Sequence, residues 1–286
     1  MQTNQLINML NRDLADEHAA TLRYLVHSYF EGEDNEFGAP ILSRAREEMW
    51  HMHWLGMVIG ELGGEPELIP AEYPFDPSNR GSILQSYIDY EENLVPHYNK
   101  EAEQVDDPHI KRVLEREAWE SSIHAQKFRK MLDKLSTEDA KTLPGAEAEL
   151  PEAFLNTLQQ EVAEKYSNML THIRDSWVFQ AQGATGWKLM DQAMEMMKQL
   201  AHFTEDVAEN GLYPQLEAQE IERQTDLTAA LSNKEETLKQ SLARHDELQK
   251  QDETQKHKGF LLNLDLTIRQ EAFQIAELQD MRKADK

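Results

Sequence analysis

The sequence predicts an all-α protein made of two tandem four-helix bundles. Three observations carry the prediction. Apolar residues recur at helical spacing almost throughout, and no run alternates as a strand would. A stop signal repeats: Glu209 to Pro214 falls on Glu61 to Pro66 at a separation of 148 residues, which also places Leu158 on Leu10, Val162 on Leu14 and Ile173 on Leu25. Residues 136–151 (STEDAKTLPGAEAELP) have linker composition and divide a 286-residue chain near its middle, leaving each half long enough to bury a core.

The first helix is expected from about Thr3 to Phe30, with Leu6, Leu10, Leu14, Thr21 and Leu25 on one stripe. Glu31–Pro40 reads as a turn. The second helix runs from about Ile41 to Leu62 and stops at Gly63-Gly64. Residues 64–81 are too rich in proline for a helix and long enough to cross the end of a bundle. A third helix follows from about Ser82 to Val105, with Pro96 predicting a kink. Asp106-Asp107-Pro108 restarts the chain as a fourth, ending near Leu135. The resulting organisation is a bundle over residues 1–136, a linker over 137–151 and a second bundle over 152–286. Helices of the second bundle are expected near 152–180, 187–210, 215–250 and 257–283.

Composition removes whole classes of chemistry. With no cysteine there is no disulfide, thiolate nucleophile, iron–sulfur cluster or Cys-ligated zinc. The net charge of −24 is shared almost evenly by the two halves, and no basic stripe could follow a phosphate backbone, so nucleic acid is not an expected partner. No apolar run approaches the ~20 residues that span a bilayer. A cytoplasmic protein without a membrane partner is expected.

Glu48-Met49-Trp50-His51 is the most informative stretch. A Glu and a His three residues apart share a helix face, with Cβ atoms about 5–6 Å apart, so both reach one metal ion. Other polar residues interrupt apolar stripes on the remaining helices of the first half. Glu17 lies among Leu14, Thr21 and Tyr24, where an unpaired carboxylate is costly. Glu91 is followed by Tyr98, and His124 stands on the fourth helix. A lone Glu on a helix is ordinarily a solvated one; these stand out because they face inward together.

On these residues, positions 4–135 resemble the ferritin-like superfamily, bacterioferritin and rubrerythrin-type bundles above all. Glu17-His18-Ala19-Ala20, Tyr24 and His27 look like the first ligand segment, Glu48-Met49-Trp50-His51 with Gly63-Gly64 like the second, and Glu91 with Tyr98 like the third. The family places a Glu from each of two helices, and a Glu-x-x-His from each of the other two, inside the bundle. The resemblance therefore implies Glu17, Glu48, His51, Glu91 and His124 as metal ligands. It favours Glu91 over Glu92, and makes Tyr24, His27 and Tyr98 hydrogen-bonders that hold carboxylates. The fourth helix departs from the pattern: Ser121 stands three residues before His124, and the nearest acid, Glu120, is offered as a substitute ligand. An asymmetric pair or a single metal is open alongside a symmetric pair.

Carboxylate and imidazole ligation suits iron, with manganese as an alternative. The function implied is that of a non-haem di-iron (or manganese) protein reacting with O2 or peroxide, as a ferroxidase or an oxidase. Lacking cysteine, it needs an external reductant. An iron-storage or cargo-type protein, or a structural bundle without a working site, are the alternatives, and each leaves room for a homo-oligomer. Haem is not expected: Met49 and Met197 align, but Met at such places is ordinarily packing.

The second half keeps the scaffold and loses the ligands. Lys165 takes the place of Glu17, Met196 of Glu48 and Gln199 of His51. A shift of 144 residues puts Glu235 on Glu91, and one of 150 puts Glu271 on Ser121 and Gln274 on His124. Lys165 is accordingly expected to neutralise Glu235 and Glu271; a lysine that reaches out to solvent is the plain alternative.

Overall fold

The computed structural model describes residues 1–32, 34–142, 150–218 and 221–284. Among them the chain is all-α and falls into two compact units, Met1–Ala146 and Glu147–Lys286. The expected linker of residues 137–151 lies partly outside the described residues; its near flank forms a short 3-10 turn, Asp139–Lys141.

In the first unit α1 (Thr3–Glu31) packs on α2 (Gly38–Glu61), and α3 (Arg80–Ala102) packs on α4 (Pro108–Lys134). The α1–α2 corner depends on Gly38, where a Cβ would stand 2.1 Å from the Gly32 carbonyl oxygen and 2.9 Å from that of Ser28. Gly63, at φ 71°, then ends α2 in the left-handed region that glycine enters freely. Asn79 caps α3 by accepting from the Ser82 N–H, and Asp107 caps α4 just ahead of Pro108. Pro96 is accommodated inside an unbroken α3.

The segment between α2 and α3 is held to α1 by a two-bond clamp. Asn11 donates to the Glu65 carbonyl at 3.0 Å and accepts from the Glu67 N–H at 2.8 Å. In the second unit α5 (Glu152–Val178) packs on α6 (Thr185–Glu209), and α7 (Leu227–Gln249) on α8 (Lys258–Ala284). The clamp recurs there: Gln159 donates to the Tyr213 carbonyl and accepts from the Gln215 N–H, each at 2.8 Å. All three participants stand 148 residues after their counterparts, as do Gly186 after Gly38 and Gly211, again at φ 71°, after Gly63.

Two readings are corrected. The helix expected over 215–250 begins only at Leu227. The Gln159 clamp holds the chain at Tyr213 and Gln215, and Asp226 caps the late start by accepting from the Ala229 N–H. The caps Asn79 and Asp226 also set the third-helix separation at 147 rather than 144, which puts Leu238, not Glu235, in the place of Glu91. Among the described residues no helix is long and apolar enough to cross a membrane.

Candidate metal centre

Each helix of the first unit delivers its polar residues to the interior by ordinary periodicity. On α4 the inward stripe is Leu114, Glu117, Ser121, His124 and Phe128, and all five are buried. Glu17, Glu48, His51, Glu91 and His124 are buried too, and they form two triads of converging ligand atoms: Glu17, Glu48 and His51, and Glu48, Glu91 and His124.

Glu48 belongs to both triads. Its Oε2 lies 2.8 Å from His51 Nδ1 and its Oε1 lies 2.7 Å from His124 Nδ1. Neither contact has the alignment of a hydrogen bond: both Glu48 oxygens and His124 Nδ1 are without a hydrogen-bond partner. His51 Nδ1 also stands 3.0 Å from Glu17 Oε2, and His124 Nδ1 stands 3.5 Å from Glu91 Oε1. The two imidazoles lie nearly parallel, with centroids 5.9 Å apart.

Tyrosines and outer carboxylates hold this set in place. Tyr98 donates to Glu17 Oε1, and Tyr24 donates to Glu91 Oε1 at 2.6 Å. His51 donates through Nε2 to Glu120 at 2.7 Å, and His124 through Nε2 to Glu47 at 2.6 Å. With Nε2 so engaged, Nδ1 of each ring is the nitrogen left to face a metal. Glu120 therefore sits on the far side of His51 and joins neither triad; Arg116 holds its other oxygen at 2.7 Å. His27 is directed elsewhere, to Tyr87 and Glu31, and Glu92 is exposed against Arg129.

Charge in the pocket is out of balance. Burial alone would lower the His51 pKa, yet Glu17 and Glu48 raise it well above the ordinary value. His124 likewise overcomes burial and is pushed up to about 12 by the nearby Glu48, by its hydrogen bond to Glu47 and by the closeness of Glu91. Imidazolium protons thus stand where cations are needed. Burial, reinforced by Glu17, pushes Glu117 well above the usual carboxylate range, and both its oxygens lack a hydrogen-bond partner. Four inward carboxylates against two imidazoles, with converging lone pairs and bare oxygens, are a donor set that fits divalent transition metal.

Sequence reasoning missed Glu117 and Glu47. Glu117 was legible: it precedes Ser121 by four residues and His124 by seven, on the same stripe. Glu47 had no such signal, because its partner, His124, comes from another helix.

In the second unit Lys165 Nζ is 2.6 Å from Glu271 Oε1, as expected. The other expected partner is corrected: Glu235 is held by Lys239, Gln279 and Arg282 near the surface. Ser241 and His245 complete the Glu271 shell instead, at 2.7 and 2.9 Å.

Paired helices enclosing carboxylate–imidazole triads define a carboxylate-lined bundle whose interior can hold a metal. Residues 7–138 match the family described as "Ferritin-like domain", and the first unit is a ferritin-like domain. No curated protein matches the chain.

Proposed function

We propose that the first unit is a non-haem dinuclear centre for iron, with manganese as an alternative, that reacts with O2 or peroxide as a ferroxidase or as an oxidase. The observation that carries this reading is Glu48. Its two oxygens each meet a different imidazole Nδ1 without hydrogen-bond alignment, and it belongs to both triads, so Glu48 would help to hold either ion. Glu17 and His51 would complete one position, and Glu91 and His124 the other. Glu117 supplies the inward acid that Ser121 does not. Glu120 and Glu47 orient the two rings and keep Nδ1 turned inward. A bound iron pair would supply two-electron redox chemistry toward O2 or peroxide, with an external reductant for repeated turnover.

The protein's own contributions are exclusion of water and control of protons. Tyr24 and Tyr98 fix the carboxylates from inside the core. On the opposite side a cleft of about 500 Å³, walled by Trp50, Trp54 and Trp119, reaches His124 past Glu47 and Glu120. Small oxidants and electrons from a reductant would approach the centre through this cleft. The second unit, with Lys165, Met196, Leu238 and Gln274 in the places of Glu17, Glu48, Glu91 and His124, is a duplicated copy that has lost the centre. The recurrent clamp of Asn11 and Gln159 supports that descent.

Anaerobic Fe(II) titration of the whole chain tests the reading, followed by admission of O2 with absorbance recorded. Binding of two irons that Glu48→Gln abolishes, with an O2-dependent absorbance change, is the expected result. Unchanged stoichiometry and affinity in Glu48→Gln would sink it. Retention of iron far beyond the centre's stoichiometry would instead favour storage.

A further inference from the structure

A second cluster lies one helical turn along α1 from Glu17. His97 Nε2 stands 3.2 Å from Asp13 Oδ1 and 3.5 Å from Glu101 Oε1, and one ligand atom from each of the three lies within 4.8 Å of the others. Asp13 and Glu101 are buried. Asp13 Oδ2 and Glu101 Oε2 accept no hydrogen bond. Two adjacent carboxylates with bare oxygens exceed what one imidazole can neutralise, and burying them that way is costly. Arg12 comes only within 3.6 Å of Glu101, from an exposed position.

The second unit shows what the same place requires. Glu161 and Glu164 occupy the positions of Asp13 and Asp16, and Arg244 occupies that of His97 in the register set by the α3 and α7 caps. The guanidinium fills the gap: Arg244 Nε is 2.9 Å from Glu161 and Nη1 is 2.5 Å from Glu164. Leu248 stands where Glu101 does. The first unit therefore lacks the fixed cation and carries an additional acid in its surroundings, which creates a demand for a free cation.

We propose that Asp13, His97 and Glu101 form a separate site for one divalent transition-metal ion. One imidazole with carboxylates suits Mn(II), Fe(II) or Zn(II). Unlike the buried centre, this site meets solvent directly, because the His97 side chain is 40% exposed. The site stands on its own geometry and does not require the dinuclear reading.

The test is equilibrium dialysis of the metal-free, full-length protein against Mn(II), with bound manganese counted and its paramagnetic resonance spectrum recorded. His97→Arg copies the second unit's solution and is expected to bind one ion fewer than the wild type. Glu48→Gln, which removes the residue common to both triads of the centre, is expected to keep one ion, lost again in the double variant. Circular dichroism confirms the fold of each, and Glu101→Gln replaces His97→Arg should the latter not fold. The proposal is overturned if these variants bind manganese with wild-type stoichiometry and affinity, or if folded Glu48→Gln binds none. A loss seen with His97→Arg alone, and not with Glu48→Gln, overturns the centre and leaves this site standing.

Discussion

Replacing Lys165 by Met should destabilise the second unit by about 3 kcal/mol, the lower end of the ~3–5 kcal/mol typical of stripping one partner from a buried ion pair. Lys165 and Glu271 are both buried, 2.6 Å apart. Around them, Lys165, His245 and Arg244 balance Glu271, Glu161 and Glu164, so the substitution leaves one uncompensated negative charge. Bonds from Ser241 and His245 to Glu271 survive, which argues for the lower end. Burial works to raise the Glu271 pKa, but Lys165, together with His245, brings it from 4.5 down to about 2, so the ionised carboxylate is stabilised on folding and part of that stabilisation goes with Lys165. The sign follows from a depressed carboxylate: the stabilisation is complete above pH 4.5 and disappears as pH falls toward 2. Calorimetry of the metal-free chain at pH 7 should show one transition lowered by ~6–12 °C, at roughly 2–4 °C per kcal/mol. Lys165→Met with Glu271→Gln should recover much of it, since no charge is then left unpaired. If no transition moves in Lys165→Met, the charge balance argued here is wrong.

Three further outcomes are expected. Glu117→Gln should raise the melting temperature of the metal-free first unit, because a buried carboxylate with two bare oxygens is removed, and weaken Mn(II) binding by ~10-fold or more; unchanged melting and unchanged affinity would count against its place in the centre. Gly38→Ala should cost the first unit about 3 kcal/mol by driving a methyl into the Gly32 carbonyl, whereas Gly63→Ala, open in space but at positive φ, should cost ~1–2 kcal/mol in chemical denaturation. Asn11→Ala and Gln159→Ala should each lose ~1–3 kcal/mol from their own unit, as two backbone partners go unsatisfied; equal resistance to urea in variant and parent would show that the clamp is idle.

The fold was legible because its signals are local. Apolar periodicity, Gly63, Gly211 and Asp107-Pro108 act within a few residues of where they stand. Glu17, Glu48, His51, Glu91 and His124 were legible for a related reason: each breaks an apolar stripe, and a helix fixes which face a residue occupies. What failed was long-range. The chain before α7 is held by Gln159, far away in sequence, and the start and register of α7 follow the Asp226 cap rather than matching acids. The nearest acid to His124 in sequence, Glu120, turns to His51, while Glu117, a full turn further back, faces inward. Proximity along a helix is a poor guide to facing, and the stripe is the better one.

Both units bury acids among their helices, at the matching positions Asp13 and Glu161 and otherwise at different ones, and they differ in where the compensating charge comes from. In the second unit the buried Glu271, Asp175 and Glu161 each have a fixed cation beside them: Lys165, Lys234 at 2.5 Å and Arg244. These pairs form on folding and need nothing from solution. In the first unit the corresponding places hold Glu17, Tyr87 and His97, which bring no fixed positive charge, so Glu48, Glu117 and Asp13 are left facing imidazoles, and Glu101 has His97 and an exposed Arg12 at 3.6 Å. An interior so arranged is destabilised by itself and stabilised by whatever cation it binds, in proportion to the logarithm of ligand concentration over its dissociation constant. Binding competence and metal-free stability are therefore opposed in this scaffold. Lysine and arginine in such places let the fold stand without a bound cation, which is the arrangement the second unit displays.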